Sequence, residues 1–286
     1  MLKTSRKIKR SLIWLFLVPS MLGMLVFYFI PATVSLFHAF TDHSGRFVWF
    51  RNFIDVLTSS AFQLGANNTL LFILASVPLG MGISFMLAGL CQNLRSKKVF
   101  AIALMLPLVI PSGAVVHFWQ IIFADNGVIN RFLFERGMDT TVWFSSSWAF
   151  GIILLVFLLK NIGFNFALFL AGYQLIPKEY YEVAKVEGAN VFQIFGNVTF
   201  VYILPTTLVV FIMSIINSFK IFREIYLLFG AYPHQSAYML QHYMNNQFAA
   251  ANMQRLSVSA TMMSLAVFVL VLGVFKGTKK LTDFYG

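Results

Sequence analysis

Charge is distributed along this chain in a way that no water-soluble fold could use. Six stretches, Leu12 to Phe40, Asn68 to Leu90, Val99 to Phe123, Trp148 to Gly172, Phe195 to Asn217 and Ser257 to Phe275, hold 144 residues and one charged side chain, Lys160. The other 142 residues carry the remaining 30 charges. Each stretch is 19 to 29 residues long, which as a helix is enough to cross a hydrocarbon core of about 30 Å at about 1.5 Å per residue. Only 11% of the chain is charged, against about 25% in an ordinary soluble domain. The alternation of apolar and polar residues over segments of about ten that a membrane barrel needs is absent. The pattern predicts an all-α polytopic membrane protein. It is a single domain over residues 1–286, with spans at about 12–40, 68–90, 99–123, 148–172, 195–217 and 257–275 and connections too short to fold as soluble domains.

A formal charge of +11 would suggest nucleic acid in a soluble protein, but here the sorting of the cations carries the information. With the amino terminus inside, Lys3, Arg6, Lys7, Lys9, Arg10, Arg95, Lys97, Lys98, Lys178, Lys185, Lys276, Lys279 and Lys280 fall on one side. Arg46, Arg51, Arg131, Arg136, Lys220, Arg223 and Arg255 fall on the other. Thirteen against seven obeys the positive-inside rule and predicts a multi-pass protein of the cytoplasmic (inner) membrane with both termini in the cytoplasm. The apolar run after the basic start extends to Phe40, too far for a cleaved signal peptide. Lone Cys91, expected at the cytoplasmic end of the second span, has no intrachain partner for a disulfide.

Motifs for chemistry are missing. No GxxxxGK[ST] occurs; GVFKGTK, from Gly273 to Lys279, has only three residues between its glycines. The five histidines show no HExxH spacing, and no GxSxG or helical pair of carboxylates is found. No catalytic residue and no metal site is predicted. Nearly every acid falls in a connection and none in a span, which argues against a transporter driven by an ion gradient. Prolines 31, 78, 107, 111 and 205 lie in the apolar stretches, either as tolerated irregularities or as bends that shape a cavity.

The second cytoplasmic connection, residues 173–194, reads into IPKEYYEVAKVEGANVFQIFGNVTFVYILP, from Ile176 to Pro205. Pro177 suits a first helical turn, Glu179 and Glu182 sit near the positive end, and Gly188 can supply a left-handed cap. A short helix is therefore predicted between the fourth and fifth spans, with Val183, Ala184 and Val186 as a small apolar face for a partner protein.

This segment resembles the EAA signature of the membrane subunits of binding-protein-dependent ATP-binding-cassette importers. Glu182, Ala184, Glu187, Gly188, Ala189, Phe195 and Pro205 match it, with Glu187 in place of the usual Asp, Val183 in place of the first alanine and Val201 where a proline is common. FLAGYQLIPKEYYEVAKVEGA and the later SFKIFREIYLLFGAYP look like the sugar branch of that family. The resemblance covers essentially the whole chain. It implies a permease domain whose loop, through Glu182, Ala184, Glu187, Gly188 and Ala189, is a coupling helix seated on an ATPase. It also implies the partners: a second, homologous permease, two cytoplasmic ATPase subunits, an extracytoplasmic sugar-binding protein, the sugar and the lipid bilayer, with no nucleic acid. ATP and magnesium would be bound by the ATPase subunits, and no cofactor by this chain.

Lys160 lies near the middle of the fourth span, where an ammonium costs about 2.5 kcal/mol or more to insert, and so should face a cavity or a partner. Asn161, Phe164 and Asn165 stand beside it. Ser214, Asn217, Ser218 and Ile221 follow i, i+3, i+4, i+7 spacing and share one helical face. Lys160, Asn161, Phe164, Ser214, Asn217, Ser218 and Ile221 fall on positions that the resemblance implies line the sugar path. The competing readings are helix packing for Ser214, Asn217 and Ser218, and for Lys160 an ion pair with the second permease or snorkelling of its stem. Besides import of carbohydrate, two other functions stay open: a secondary transporter, and a membrane scaffold for an ATPase without its own cargo path.

Overall fold

The computed structural model describes residues 16–92 and 94–285. The basic amino-terminal residues Lys3, Arg6, Lys7, Lys9 and Arg10 and the first residues of the first predicted span lie outside them. Among the described residues the regular structure is helical, apart from one isolated antiparallel bridge between Thr41 and Phe47. In chain order the helices are α1 (Phe16–Phe40), α2 (Arg51–Leu57), α3 (Ser60–Cys91), α4 (Lys97–Val109), α5 (Ser112–Phe123) and α6 (Val128–Glu135). They continue with α7 (Trp148–Gln174), α8 (Lys178–Val186), α9 (Val191–Phe229), α10 (Leu240–Ala249) and α11 (Met253–Tyr285).

Five helices are long and apolar enough to cross a membrane, namely α1, α3, α7, α9 and the first part of α11, with a sixth crossing if α4 and the helical segment after it form one bent span. That third stretch departs from the continuous helix expected over 99–123. The chain bends by 93° between Val109 and Ser112. Pro111 disfavours helix at the residue before it, and Ile110 accordingly turns extended at φ −69°, ψ 127°.

The fifth span also differs. It was expected to stop at Asn217, with 218–256 as an external loop, but helix runs on to Phe229 with a turn at Ile221. Ile221 and Ile225, one turn apart, are both buried in the core and hold the extra turns down. Gly230 at φ 75° ends the helix. Glu224 is consequently a buried helical residue, 2% exposed, rather than a loop acid. The connection at 41–67 likewise contains α2 and the start of α3.

The chain forms two compact units, one of the residues up to Ser60 with Met244–Phe268, the other of Ala61–Tyr243 with the residues from Val269 onward. In the first unit, the most apolar window of α1 buries nothing within the chain, as suits a lipid-facing helix. Its turn Leu25–Phe29 widens to i→i+5 bonding just before Pro31, which relieves the clash of the proline ring with the carbonyl four residues back.

The second unit is built on α7. A β-carbon added at Gly163 would lie 1.9 Å from the Leu104 carbonyl oxygen, so only glycine lets α4 cross there. α3 docks on the same helix as Ser84 Oγ donates to the Ile162 carbonyl at 3.0 Å. Two apolar clusters fill the unit. One gathers Phe72, Trp119, Phe123, Ile153, Phe157, Ile221 and Ile225; the other gathers Phe166, Phe169, Tyr173, Ile203 and Val210 with the buried, free Cys91.

Candidate functional site

Lys160, on α7, meets a carboxylate of its own chain. Its ammonium is paired with Glu224 on α9, and the same Glu224 oxygen accepts a hydrogen bond from Ser112 Oγ at 2.7 Å. Ser112 is the first residue of α5, immediately after the 93° bend. Three elements are thus tied at one buried carboxylate. Removing two charges from water is costly, and such a pair persists only when its geometry and extra hydrogen bonds are good. Deleting one partner costs about 3–5 kcal/mol because the other charge is stranded.

The remaining polar residues around this pair also bond within the chain. Asn161 Nδ2 donates to the Phe157 carbonyl at 2.9 Å, and Asn165 Nδ2 donates across the helix interface to Ser214 Oγ at 3.0 Å. Ser218 Oγ donates to the Ile215 carbonyl at 2.6 Å. Ser214, Ser218 and Ile221 are buried, Ile221 within the apolar core, while Asn217 and Phe164 are half-buried. The structure therefore ties α7 to α9 through Lys160–Glu224 and Asn165–Ser214 and buries Asn161, Ser218 and Ile221, while Asn217 and Phe164 stay half-buried. Sequence reasoning missed Glu224 and Ser112, and named Asn165 beside Lys160 without giving it a role. For Glu224 a signal existed: with Ile221 and Ile225 it continues the face of Ser214 and Ser218 by one more turn.

The cytoplasmic connection has the opposite character. α8 follows Pro177 and closes in a Schellman motif, Gly188 N–H to the Lys185 carbonyl at 3.0 Å and Ala189 N–H to the Ala184 carbonyl at 2.9 Å. Gly188 supplies the left-handed residue at φ 79°. Asn190 and Gln193 then form a reciprocal capping box, with bonds of 3.0 and 2.8 Å, that opens α9. Tyr181 Oη lies 3.2 Å from Thr199 Oγ1, and the rings of Tyr180 and Tyr202 pack at 4.9 Å, so α8 is fastened to the base of α9. Tyr181 and Ala184 pack inward on the core. Of the expected apolar face, Ala184 hence supports the helix from within, and the exposed part is Val183 and Val186 with Glu182 and Glu187. Val186 and Phe192 are 89% and 87% exposed.

On α10, outside the spans, the buried His242 accepts the Met239 N–H on Nδ1 at 3.0 Å and packs against the rings of Phe222 and Tyr238. Burial lowers its pKa from 6.5 to about 4.

Known proteins share both the architecture and the sequence. Residues 76–276 match the family model described as binding-protein-dependent transport system inner membrane component. The chain is 30% identical over 237 residues to YesP of Bacillus subtilis, a probable ABC transporter permease protein, covering 79% of this chain and 77% of that one. It is 32% identical over 225 residues to AraP, the arabinooligosaccharides transport system permease protein of Halalkalibacterium halodurans, with 74% and 70% covered. To MalF, the trehalose/maltose transport system permease protein of Thermococcus litoralis, it is 29% identical over 229 residues, with 77% of each covered. In fold it matches a chain of a bacterial ABC transporter involved in the import of the acidic polysaccharide alginate, at a TM-score of 0.84 and 22% identity over 98% of this chain and 99% of that one. An all-helical, multi-pass architecture joined to a match over most of the sequence leaves one assignment: this chain belongs to the binding-protein-dependent transport system inner membrane components.

Proposed function

We propose that this chain is one permease of an importer that moves carbohydrate across the cytoplasmic membrane and draws its energy from ATP hydrolysed on separate subunits. The carbohydrate reading rests on relatives whose names specify arabinooligosaccharides and trehalose or maltose. The energetic reading rests on α8, the observation that carries most weight. A helix closed by a Schellman motif and fastened to α9, yet presenting Val183 and Val186 to solvent beside the exposed Phe192 at the start of α9, is built to be gripped. A rigid helix tied to two membrane spans can turn the rotation of a gripping ATPase into a change of cavity access. Its partners would be a second permease, two ATPases that hold ATP and magnesium, and an extracytoplasmic sugar-binding protein. Both termini, residues 91–98 and residues 173–194 would face the cytoplasm.

Glu224 is a buried carboxylate paired with Lys160 of the fourth span, and a carboxylate within the membrane is the feature that would favour a secondary transporter. Its pairing with Lys160 and Ser112 gives it a structural occupation, and family membership weighs the same way. Affinity purification of the full chain from its own membranes should bring an ATP-hydrolysing subunit with it, and sugar uptake in vesicles should stop when that subunit is inactivated. Purification without any such subunit, or uptake indifferent to ATP, would overturn the proposal. Single cysteines in a Cys91→Ser background test the orientation. Gly45→Cys and Met138→Cys should label from outside intact cells, and Ser96→Cys and Tyr180→Cys should not.

A further inference from the structure

The segment that follows α1 is stiff and turns aromatic side chains outward. Asp42 Oδ1 accepts the N–H groups of Ser44 and Arg46 at 2.8 and 2.9 Å, Gly45 takes φ 76°, and Val48 N–H donates to the Phe40 carbonyl at 2.8 Å. A tight hairpin therefore starts at the last residue of the span. Asn52 Nδ2 donates to the carbonyls of both Ala39 and Thr41, at 3.1 and 2.9 Å, which pins the first turn of α2 to the end of α1. Phe40 packs against Phe47, Phe50 and Phe53. This anchoring fixes the place of α2: it cannot leave the level at which the span ends.

From this base Phe47, Trp49, Phe50, Ile54 and Leu57 stay exposed, Trp49 by 68%. Phe50, Ile54 and Leu57 recur at i, i+4 and i+7 and form one apolar face of α2, whereas Arg51, Asn52 and Asp55 lie on the other side. Trp49 adopts φ 53°, a left-handed conformation unfavourable for a bulky residue, and its indole stands at 89° to the ring of Phe47. An apolar face this large needs a cover. The chain enters this segment from α1, whose most apolar window buries nothing within the chain, as suits a helix that faces lipid. Tryptophan prefers the level of the headgroups, where its ring is wetted at one edge, and the exposed guanidinium groups of Arg46 and Arg51 are of a type that meets phosphate.

We propose that residues 47–57 form an interfacial foot, seated in the phospholipid headgroup layer at the face where α1 ends, extracytoplasmic in the orientation given above. The test uses the full chain with its co-purifying subunits, reconstituted in phosphatidylcholine bilayers with and without bromine on the upper acyl chain. The emission of Trp49 is obtained as the difference between wild type and Trp49→Phe. It should fall at least two-fold in the brominated bilayer. A bimane label on Ile54→Cys in the Cys91→Ser background should fall likewise, a reading that does not depend on the tryptophan variant. Absence of bromine quenching at either position overturns the proposal. Iodide then says what replaces it: quenching by iodide places the segment in water, and protection from iodide places it against a protein such as a second permease or the binding protein.

Discussion

Inside the second unit, Lys160, Glu224 and Ser112 spend their polar groups on one another, whereas the connection from Leu175 to Phe192 leaves Val186 and Phe192 almost wholly in solvent. Both regions depart from the rule that apolar groups go in and charged groups stay out. They depart for different reasons. At the α5–α7–α9 junction the departure is compensated within the chain, so the energy of the site is energy of the fold. Around α8 it is not compensated within the chain, so the same apolar surface is free to contribute to association. Perturbation of the first region should register in stability, and perturbation of the second in coupling with little change in stability.

The largest expected effect is at the junction. Glu224→Gln strands the Lys160 ammonium and should destabilise the purified protein by about 3–5 kcal/mol, read as a lowered Tm and a reduced yield of complex. The double variant Lys160→Met with Glu224→Met removes both charges and should recover most of that loss. If the single variant is as stable as wild type, the two regions do not differ as described. His242 offers a second test of compensated burial. Its folded pKa of about 4 lies below the ordinary 6.5, so between these values the unfolded chain binds a proton that the folded chain does not. The stability contributed by neutral His242 is complete above pH 6.5 and should decline as pH falls towards 4, by up to about 3 kcal/mol at about 1.4 kcal/mol per pH unit. His242→Gln should flatten that part of a pH–Tm profile; an unchanged profile would assign the loss to other groups.

At α8 the balance should reverse. A β-carbon at Gly188 meets no atom within 4 Å but must adopt φ 79°, so Gly188→Trp should cost only about 1–2 kcal/mol of stability while abolishing sugar-stimulated ATP hydrolysis and uptake. Glu182→Lys, on an exposed face, should change stability by less than about 0.5 kcal/mol and still impair coupling. Normal coupling in both variants would remove α8 from the mechanism. The smallest effect is expected at Asn217, which is half-buried on the face of Ser214 and Ser218. With Asn217 as a contact to the sugar, Asn217→Leu should forfeit hydrogen bonds to cargo worth about 0.5–1.5 kcal/mol each, lowering uptake several-fold with complex yield intact. Equal loss of uptake and complex would mark it as a packing residue like Ser214.

Local sequence signals define some of these regions and not others. The cap residues of α8 were legible because Pro177, Glu179 and Gly188 act within a turn or two of their own places. The Schellman and capping-box bonds of 184–193 are local in the same sense. The end of α9 was misjudged because Lys220, Arg223 and Glu224 look like the charges of a loop. Arg223 does remain exposed while Glu224 turns inward, but which charge is buried depends on what stands opposite. Likewise Pro111 announced an irregularity, and only the packed structure made it a bend of 93° rather than a slight kink.

The sequence alone determined that this chain crosses a membrane as helices and carries a capped helix between its fourth and fifth spans. Those outcomes follow from transfer free energies and backbone preferences that each residue brings with it, whatever its distant neighbours. Tertiary structure alone decided that Lys160 meets Glu224 and Ser112, that Ser214 bonds to Asn165, and that Ala184 faces the core while Val186 does not. A buried charge or hydroxyl is stabilised only by a partner at hydrogen-bond distance, and 64 residues separate Lys160 from Glu224 while 112 separate Ser112 from Glu224. No local rule measures across such a gap, since the contact exists only once α5, α7 and α9 have packed.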